Sequence, residues 1–313
     1  MTFPSEIISN HVSVFCDWNL REIIKIFLKW VWHKVMLEKS EYLDGACQLG
    51  LYLYIIMAVI ARKKLRRCFM VRKLFTSESV TEGHPDKMRD QISDAILDAF
   101  LRDDSESRGA CEVAATTGMM FIFGEISSNA VVNCTKIARD VLRKIGYTSS
   151  EMGFDADTCS IVTAIGKQSC NIAQGVNRSS DSGKIGARDQ GMVFEYACNE
   201  TPELMPLSIS LAHKLAQKLA EVRKNGEIVG LKPDGKTQVI VEYDEDKLVK
   251  VDTIIVSAQH DPGVDMAELK KMIFEKAVIP TIPFEYYRNG LKLYVNPTGC
   301  FEIGGSHGDS GLN

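Results

Sequence analysis

The chain has 313 residues, 45% of them hydrophobic, and a formal net charge of −4. That length allows about two domains with ordinary apolar cores, and the slight acidity excludes a general nucleic-acid binder, which needs a basic face. Nine cysteines are scattered without a CxxC pair, so they read as buried free thiols of a reducing compartment, not as a disulfide or metal framework.

The first seventy or so residues differ in character from the rest. Trp18, Trp30 and Trp32 all fall here, and residues 49–61 form an apolar run followed by Arg62-Lys-Lys-Leu-Arg-Arg67. The run is shorter than the roughly 20 apolar residues that span a bilayer. It lies too far from Met1 for a signal peptide and lacks a clean cleavage site. If it did span, the basic cluster would keep the downstream domain cytoplasmic. Membrane attachment is therefore not expected, and a cytoplasmic protein is.

The richest segment is Phe75-Thr-Ser-Glu-Ser-Val-Thr-Glu-Gly-His-Pro-Asp-Lys87, which runs into Asp90-Gln-Ile-Ser-Asp-Ala-Ile-Leu-Asp-Ala-Phe100. Gly83 frees the backbone, and Pro85 suits a first helical turn, where its missing N–H costs nothing. Asp86 sits at the positive end of the helix dipole. Ile92, Ile96, Leu97 and Phe100 recur at helical spacing and predict a core face. His84 and Lys87 are thereby held near a helix N-terminus, where phosphate binds readily. The same residues also fit an ordinary helix cap.

Further on, residues 113–123 are β-rich and end at Gly124. Residues 131–145 form an amphipathic helix stopped by Gly146, and residues 158–165 read as a strand. Residues 167–190 are polar and rich in Gly, Ser, Asp and Asn, the composition of a long functional or disordered loop. A second unit follows. Residues 207–224 predict a helix closed by Asn225-Gly226. Residues 237–243 and 248–260 predict two strands joined by an acidic turn at 244–246. Residues 265–279 predict a helix stopped by Pro280, and residues 291–295 a last strand. The order predicts an α+β fold with helices on one face of a sheet.

The string Thr76-Ser-Glu-Ser-Val-Thr-Glu-Gly-His-Pro-Asp-Lys87 with Asp90-Gln-Ile-Ser-Asp-Ala closely resembles the N-terminal signature of S-adenosylmethionine synthetases. The resemblance runs nearly continuously from Val71 to the C-terminus. It implies two-layer α/β domains with helices packed on one face of a mixed sheet, two of the usual three being present. It implies an extension at 1–69 ahead of a natural start near Met70, an N-terminal ATP/methionine domain at 70–170, a gating loop and linker at 171–190, a central domain at 191–302, and the start of a truncated third domain at 303–313. The implied reaction joins the sulfur of methionine to the 5′ carbon of ATP, expels triphosphate, and hydrolyses it to diphosphate and phosphate. Such a displacement needs aligned reactants and neutralised leaving-group charge rather than an acid–base pair, and Mg²⁺ and K⁺ are the implied cofactors.

Carried over residue by residue, the resemblance makes His84 an ATP-phosphate contact and Asp86 a Mg²⁺ ligand. Glu112, in Ala110-Cys-Glu112, takes the K⁺ position. Glu125 and Gln168 take methionine-binding positions, and Asp189 that of a substrate-site acid. Lys232-Pro-Asp-Gly-Lys236 places Asp234 and Lys236 on ATP, with Lys236 grouped with His84 and Asp86 as catalytic. Without the resemblance that segment reads as a surface turn before a strand. Pro297-Thr-Gly-Cys-Phe-Glu-Ile-Gly-Gly-Ser-His-Gly-Asp309 resembles a second signature, with Phe301 on the adenine side and Asp309 on ATP and methionine. Cys170-Asn171 stands where the family usually has Pro-Asp, Cys300 where it has Arg, and Ser306 where it has Pro.

The family continues beyond the point at which this sequence ends, with segments that bring Arg and Lys to the phosphates and a further Asp to Mg²⁺. Each absent preorganised charge costs about 10²–10³ in rate, so the chain alone is expected to be inactive. The expected assembly is a homodimer or dimer of dimers. The alternative is a non-catalytic paralogue that pairs with a full-length subunit.

Overall fold

The computed structural model describes residues 72–152, 154–167, 192–244, 247–288 and 290–312. The expectations for 1–69, for most of the 167–190 loop, and for Gln168, Asp189 and the Cys170-Asn171 pair lie outside the described residues. The described residues belong to one compact unit, Val71–Asn313, built from two four-stranded mixed sheets.

The first sheet has the order β1-β7-β8-β9, with β1 Arg72–Val80, β7 Leu231–Asp244, β8 Lys247–His260 and β9 Lys292–Val295. β7 and β8 form the expected hairpin; β7 starts at Leu231, earlier than alternation alone predicts, and β8 ends at His260 as expected. The helix α3 (Leu207–Lys224) covers this sheet. Its buried Leu207, Leu211, Leu215, Leu219 and Val222 recur every three or four residues and meet Val239, Val241, Ile254 and Val256. Each such side chain contributes roughly 1.5–3 kcal/mol by leaving water.

The second sheet has the order β10-β2-β3-β6, with β2 Arg108–Thr116, β3 Met119–Ser127, β6 Ser160–Gly166 and β10 Gly311–Leu312. The tract expected at 113–123 is in fact a hairpin that turns at Thr117-Gly118, where Gly118 has φ +66. Small residues hid the break, because a two-residue turn needs only one glycine with positive φ. Two helices, α1 (Pro85–Asp103) and α2 (Cys134–Ile145), share a core with this sheet. Between α2 and β6 lies a small ribbon of β4 (Thr148–Ser149) and β5 (Phe154–Asp155). β6 runs parallel to β3, so the chain between them must cross over, and α2 fills that connection.

α1 begins at Pro85 as expected, with Met88, Ile92, Ile96 and Ala99 buried. Leu97 is 36% exposed: one residue past Ile96, it is carried to the flank of the stripe. The helix expected at 265–279 is α4 (Met266–Ile273), capped by Asp265, and it widens into a π turn at Phe274–Val278. Pro280 does not stop it but opens a further turn at Ile279–Thr281, a place where its missing N–H is not needed. The described cysteines divide: Cys134 and Cys159 are buried, Cys111 and Cys198 half-buried, and Cys300 exposed. Burial pushes the Cys111 thiol up to about 11.

Candidate functional site

The β1–α1 loop links the two sheets. β1 pairs with β7, whereas α1, starting five residues later, packs on β2. The loop is fixed to β7 at several points. Thr81 donates its N–H to the Gly235 carbonyl at 2.9 Å and its hydroxyl to the Pro233 carbonyl at 2.8 Å. Gly83 lies so close to β7 that a Cβ there would stand 2.4 Å from Pro233 Cβ and its carbonyl oxygen. The hydroxyl of Tyr147, which is fully buried, donates to the Gly83 carbonyl. Glu82 accepts from Arg223 and Lys224 at 2.7 Å each, and Arg223 also donates to the Ile145 carbonyl.

At the end of this loop His84 caps α1. Its Nδ1 accepts from the Asp86 N–H at 3.2 Å, so a neutral ring carries its proton on Nε2. The segment Lys232–Gly235 is buried inside β7 at a break in register between Leu231 and Gly235, so the surface-turn reading does not hold. The bulge turns Asp234 inward, where its Oδ2 accepts from the Gly305 N–H at 2.7 Å. Burial drives the Asp234 carboxyl above its usual range; the Gly305 N–H and the His84 charge oppose this, and Asp309 adds to it.

The 296–309 segment is tied down in turn. His260 donates its N–H to the Phe301 carbonyl, and its Nε2 accepts from the Phe301 N–H, both at 3.0 Å. Asp309 donates its N–H to the Gly305 carbonyl at 3.1 Å. Gly305 has φ +59, and a Cβ there would lie 2.6 Å from the Tyr147 hydroxyl. His84 and Asp309, far apart in sequence, thus both act electrostatically on Asp234.

Of the remaining expected residues, Asp86 lies beside His84 and Phe301 near Asp234, whereas Lys236, Glu112 and Glu125 lie on strands. Lys236 is half-exposed on β7 and pairs with Glu78 at 2.9 Å. Asp86 is mostly exposed and bound by Arg89. Phe301 is half-buried beside His260. Glu112 on β2 sits opposite Phe123, and Glu125 on β3 opposite Ala110. Strand alternation puts both carboxylates on the sheet face turned away from buried Val113 and Ile122. A groove of about 620 Å³ runs along β1 and α3, lined by Glu78, Glu82, Lys87 and a Ser79–His213 hydrogen bond of 2.7 Å, but neither His84 nor Asp234 lines it.

No group of three or more His, Cys, Asp or Glu side chains among the described residues is placed to hold a metal ion. Neither Asp86 nor Glu112 belongs to such a group. Sequence reasoning missed Tyr147, Arg89, His260 and the Glu82–Arg223 pair. For Tyr147 the hint was a tyrosine just after a helix-ending glycine, since its hydroxyl needs a partner when buried.

The model of the S-adenosylmethionine synthetase N-terminal domain matches residues 72–170, and that of the central domain matches residues 184–301. The S-adenosylmethionine synthase of Clostridium tetani (strain Massachusetts / E88) is 52% identical over 250 residues, 77% of this chain and 64% of the relative. That of Desulfosudis oleivorans (strain DSM 6200 / JCM 39069 / Hxd3) is 56% identical over 240 residues, 76% of this chain and 62% of the relative. The chain spans a little under two thirds of the length of these curated relatives.

Proposed function

Because the chain belongs to the S-adenosylmethionine synthetase family through its N-terminal and central domains, we propose that it supplies the ATP- and methionine-facing part of a site that forms S-adenosylmethionine. In this reading His84, Asp234, Lys236, Phe301 and Asp309 face ATP. Glu125, Gln168 and Asp309 face methionine, and Asp189 is a substrate-site acid. The observation that carries the proposal is the convergence of His84, Asp234 and Asp309 around the Asp234–Gly305 hydrogen bond. Displacement at the 5′ carbon needs the sulfur and the leaving oxygen held in line. A helix N-terminus, its capping histidine and a rigid glycine loop provide fixed dipoles where triphosphate charge develops.

The family's metal ions enter the proposal as Mg²⁺ and K⁺, which would neutralise the phosphates. No group of three or more His, Cys, Asp or Glu side chains among the described residues is placed to hold either, and the reading assigns no step to them here. The cations on the site's segments are already engaged: Lys87 with Asp90, Arg89 with Asp86, Lys232 with Asp261, Lys236 with Glu78. With so little uncommitted positive charge among them, the 313-residue chain does not complete turnover alone. A cytoplasmic place and a homo-oligomeric assembly go with this reading.

The test is ATP binding by calorimetry, with S-adenosylmethionine formation followed by mass spectrometry. Binding that weakens tenfold or more in His84→Ala and Asp234→Ala, without turnover, is expected. Absence of ATP binding would sink the site assignment, and clear turnover by the chain alone would sink its inactivity.

A second reading, pairing with a full-length subunit, is favoured by exposed apolar side chains on both sheets. Phe75 is 54% exposed, Met119 45%, Val162 46% and Tyr294 47%, and such surface marks interfaces. Co-expression with an intact relative and failure to co-purify would remove this reading.

A further inference from the structure

Arg89 is among the largest fully buried side chains of the described residues. It lies on the core face of α1 between Met88 and Ile92, both also fully buried. A guanidinium has five N–H donors and no means of shedding its charge, so burial demands partners. Arg89 has one: Nη2 donates to Oδ1 of Asp86, one turn earlier. Its Nε and Nη1 are buried without a hydrogen-bond partner.

Asp86 is in the opposite situation. It is 62% exposed, and its second oxygen, Oδ2, lies 3.7 Å from His84 Nδ1. A carboxylate at that place is the expected Mg²⁺ ligand, yet among the described residues it belongs to no group of three or more His, Cys, Asp or Glu side chains placed to hold a metal ion. The guanidinium also cannot withdraw cheaply, because release of Asp86 would leave a buried charge without any counter-ion.

We infer that Arg89 is a built-in counter-cation that occupies the Asp86 carboxylate in place of a divalent ion, so Asp86 positions the start of α1 and is not a metal ligand in this chain. The inference rests on reading this region as the polyphosphate-facing site. A divalent ion approaching Oδ1 meets a fixed like charge held on the same carboxylate. Asp86 in turn gains an internal partner that keeps the first turn of α1, and with it the His84 cap, in place.

The experiment is Mn²⁺ binding to the full chain, without nucleotide, followed by electron paramagnetic resonance. Wild type is compared with Asp86→Asn, Arg89→Met and the double variant. Methionine keeps the length and apolar bulk of the stem and removes the charge. Expected are an Arg89→Met site at least tenfold tighter than any in wild type, its loss in the double variant, and wild-type Mn²⁺ binding that Asp86→Asn changes less than twofold. Wild-type binding that Asp86→Asn weakens tenfold, or equal binding by wild type and Arg89→Met, would overturn the inference. If Arg89→Met does not fold, the wild-type and Asp86→Asn comparison decides by itself. Because no nucleotide is present, these outcomes are read independently of whether ATP binds.

Discussion

The hydroxyl of Tyr147 donates to the carbonyl of Gly83, so a side chain that follows α2 fixes the loop that carries His84. The same ring leaves no room for a side chain at Gly305, whose N–H holds Asp234. One buried phenol therefore sets the spacing of both halves of the candidate site. Tyr147→Phe leaves the buried Gly83 carbonyl without that donor, which costs about 1–3 kcal/mol. Denaturant titration should show that loss, together with weaker ATP binding and an unchanged far-ultraviolet spectrum. Unchanged stability would mean that the bond contributes nothing.

Gly83→Ala is the sharper steric test. A methyl there would stand 2.4 Å from Pro233 Cβ and carbonyl oxygen, both on a strand that cannot retreat without breaking the β1–β7 pairing. Overpacking of this kind costs about 1–3 kcal/mol. The melting temperature should fall by several degrees, whereas Gly118→Ala, where nothing lies within 4 Å, should be affected by positive φ alone. Equal losses at the two glycines would refute the contact.

Asp252 predicts an acid limit. A hydrogen bond from Lys250, then Thr253 and Lys292, holds its carboxyl down to about 2. A depressed folded value means that the stabilisation is present above the ordinary carboxylate range near 3.9 and is lost as pH falls towards 2. Asp252→Asn should cost about 1–2 kcal/mol at pH 7 and nearly nothing at pH 2, as measured by urea titration at both values.

Asp234 has the opposite sign. Burial raises its carboxyl above the ordinary range, so its folded state favours the proton. That contribution is complete below the unfolded value and declines as pH rises through the folded one. Asp234→Asn, which can still accept from Gly305, should therefore gain stability relative to wild type between pH 4 and neutrality while losing ATP affinity. A stability difference that does not change with pH would contradict the burial argument.

The elements were legible in the sequence wherever one periodicity held without interruption. Pro85 and the Ile92/Ile96 spacing mark α1, and Leu207 to Val222 mark α3. Pairing between distant segments left no local signal. Nothing near Phe75 announces that its partner is Val241, and nothing in Lys232-Pro-Asp-Gly says that a bulge will bury it. The π turn after Ile273 is invisible because its residues are ordinary helix formers. Arg89 reads as a surface cation on charge alone; only the helical phase of Met88 and Ile92 hints that it points inward.

The placement of β1 also constrains how the chain acquires its structure. During synthesis residues 72–80 emerge well before their partners, residues 236–244, which lie more than 150 positions later. Closing so long a loop is slow compared with local helix formation. Until it closes, a strand with exposed Leu74 and Phe75 has an unpaired edge. α1 and the β2–β3 hairpin can form early, but the His84 loop acquires its shape only when β7 arrives. The candidate site is thus among the last parts of the molecule to mature, and refolding should restore helical signal before it restores nucleotide binding.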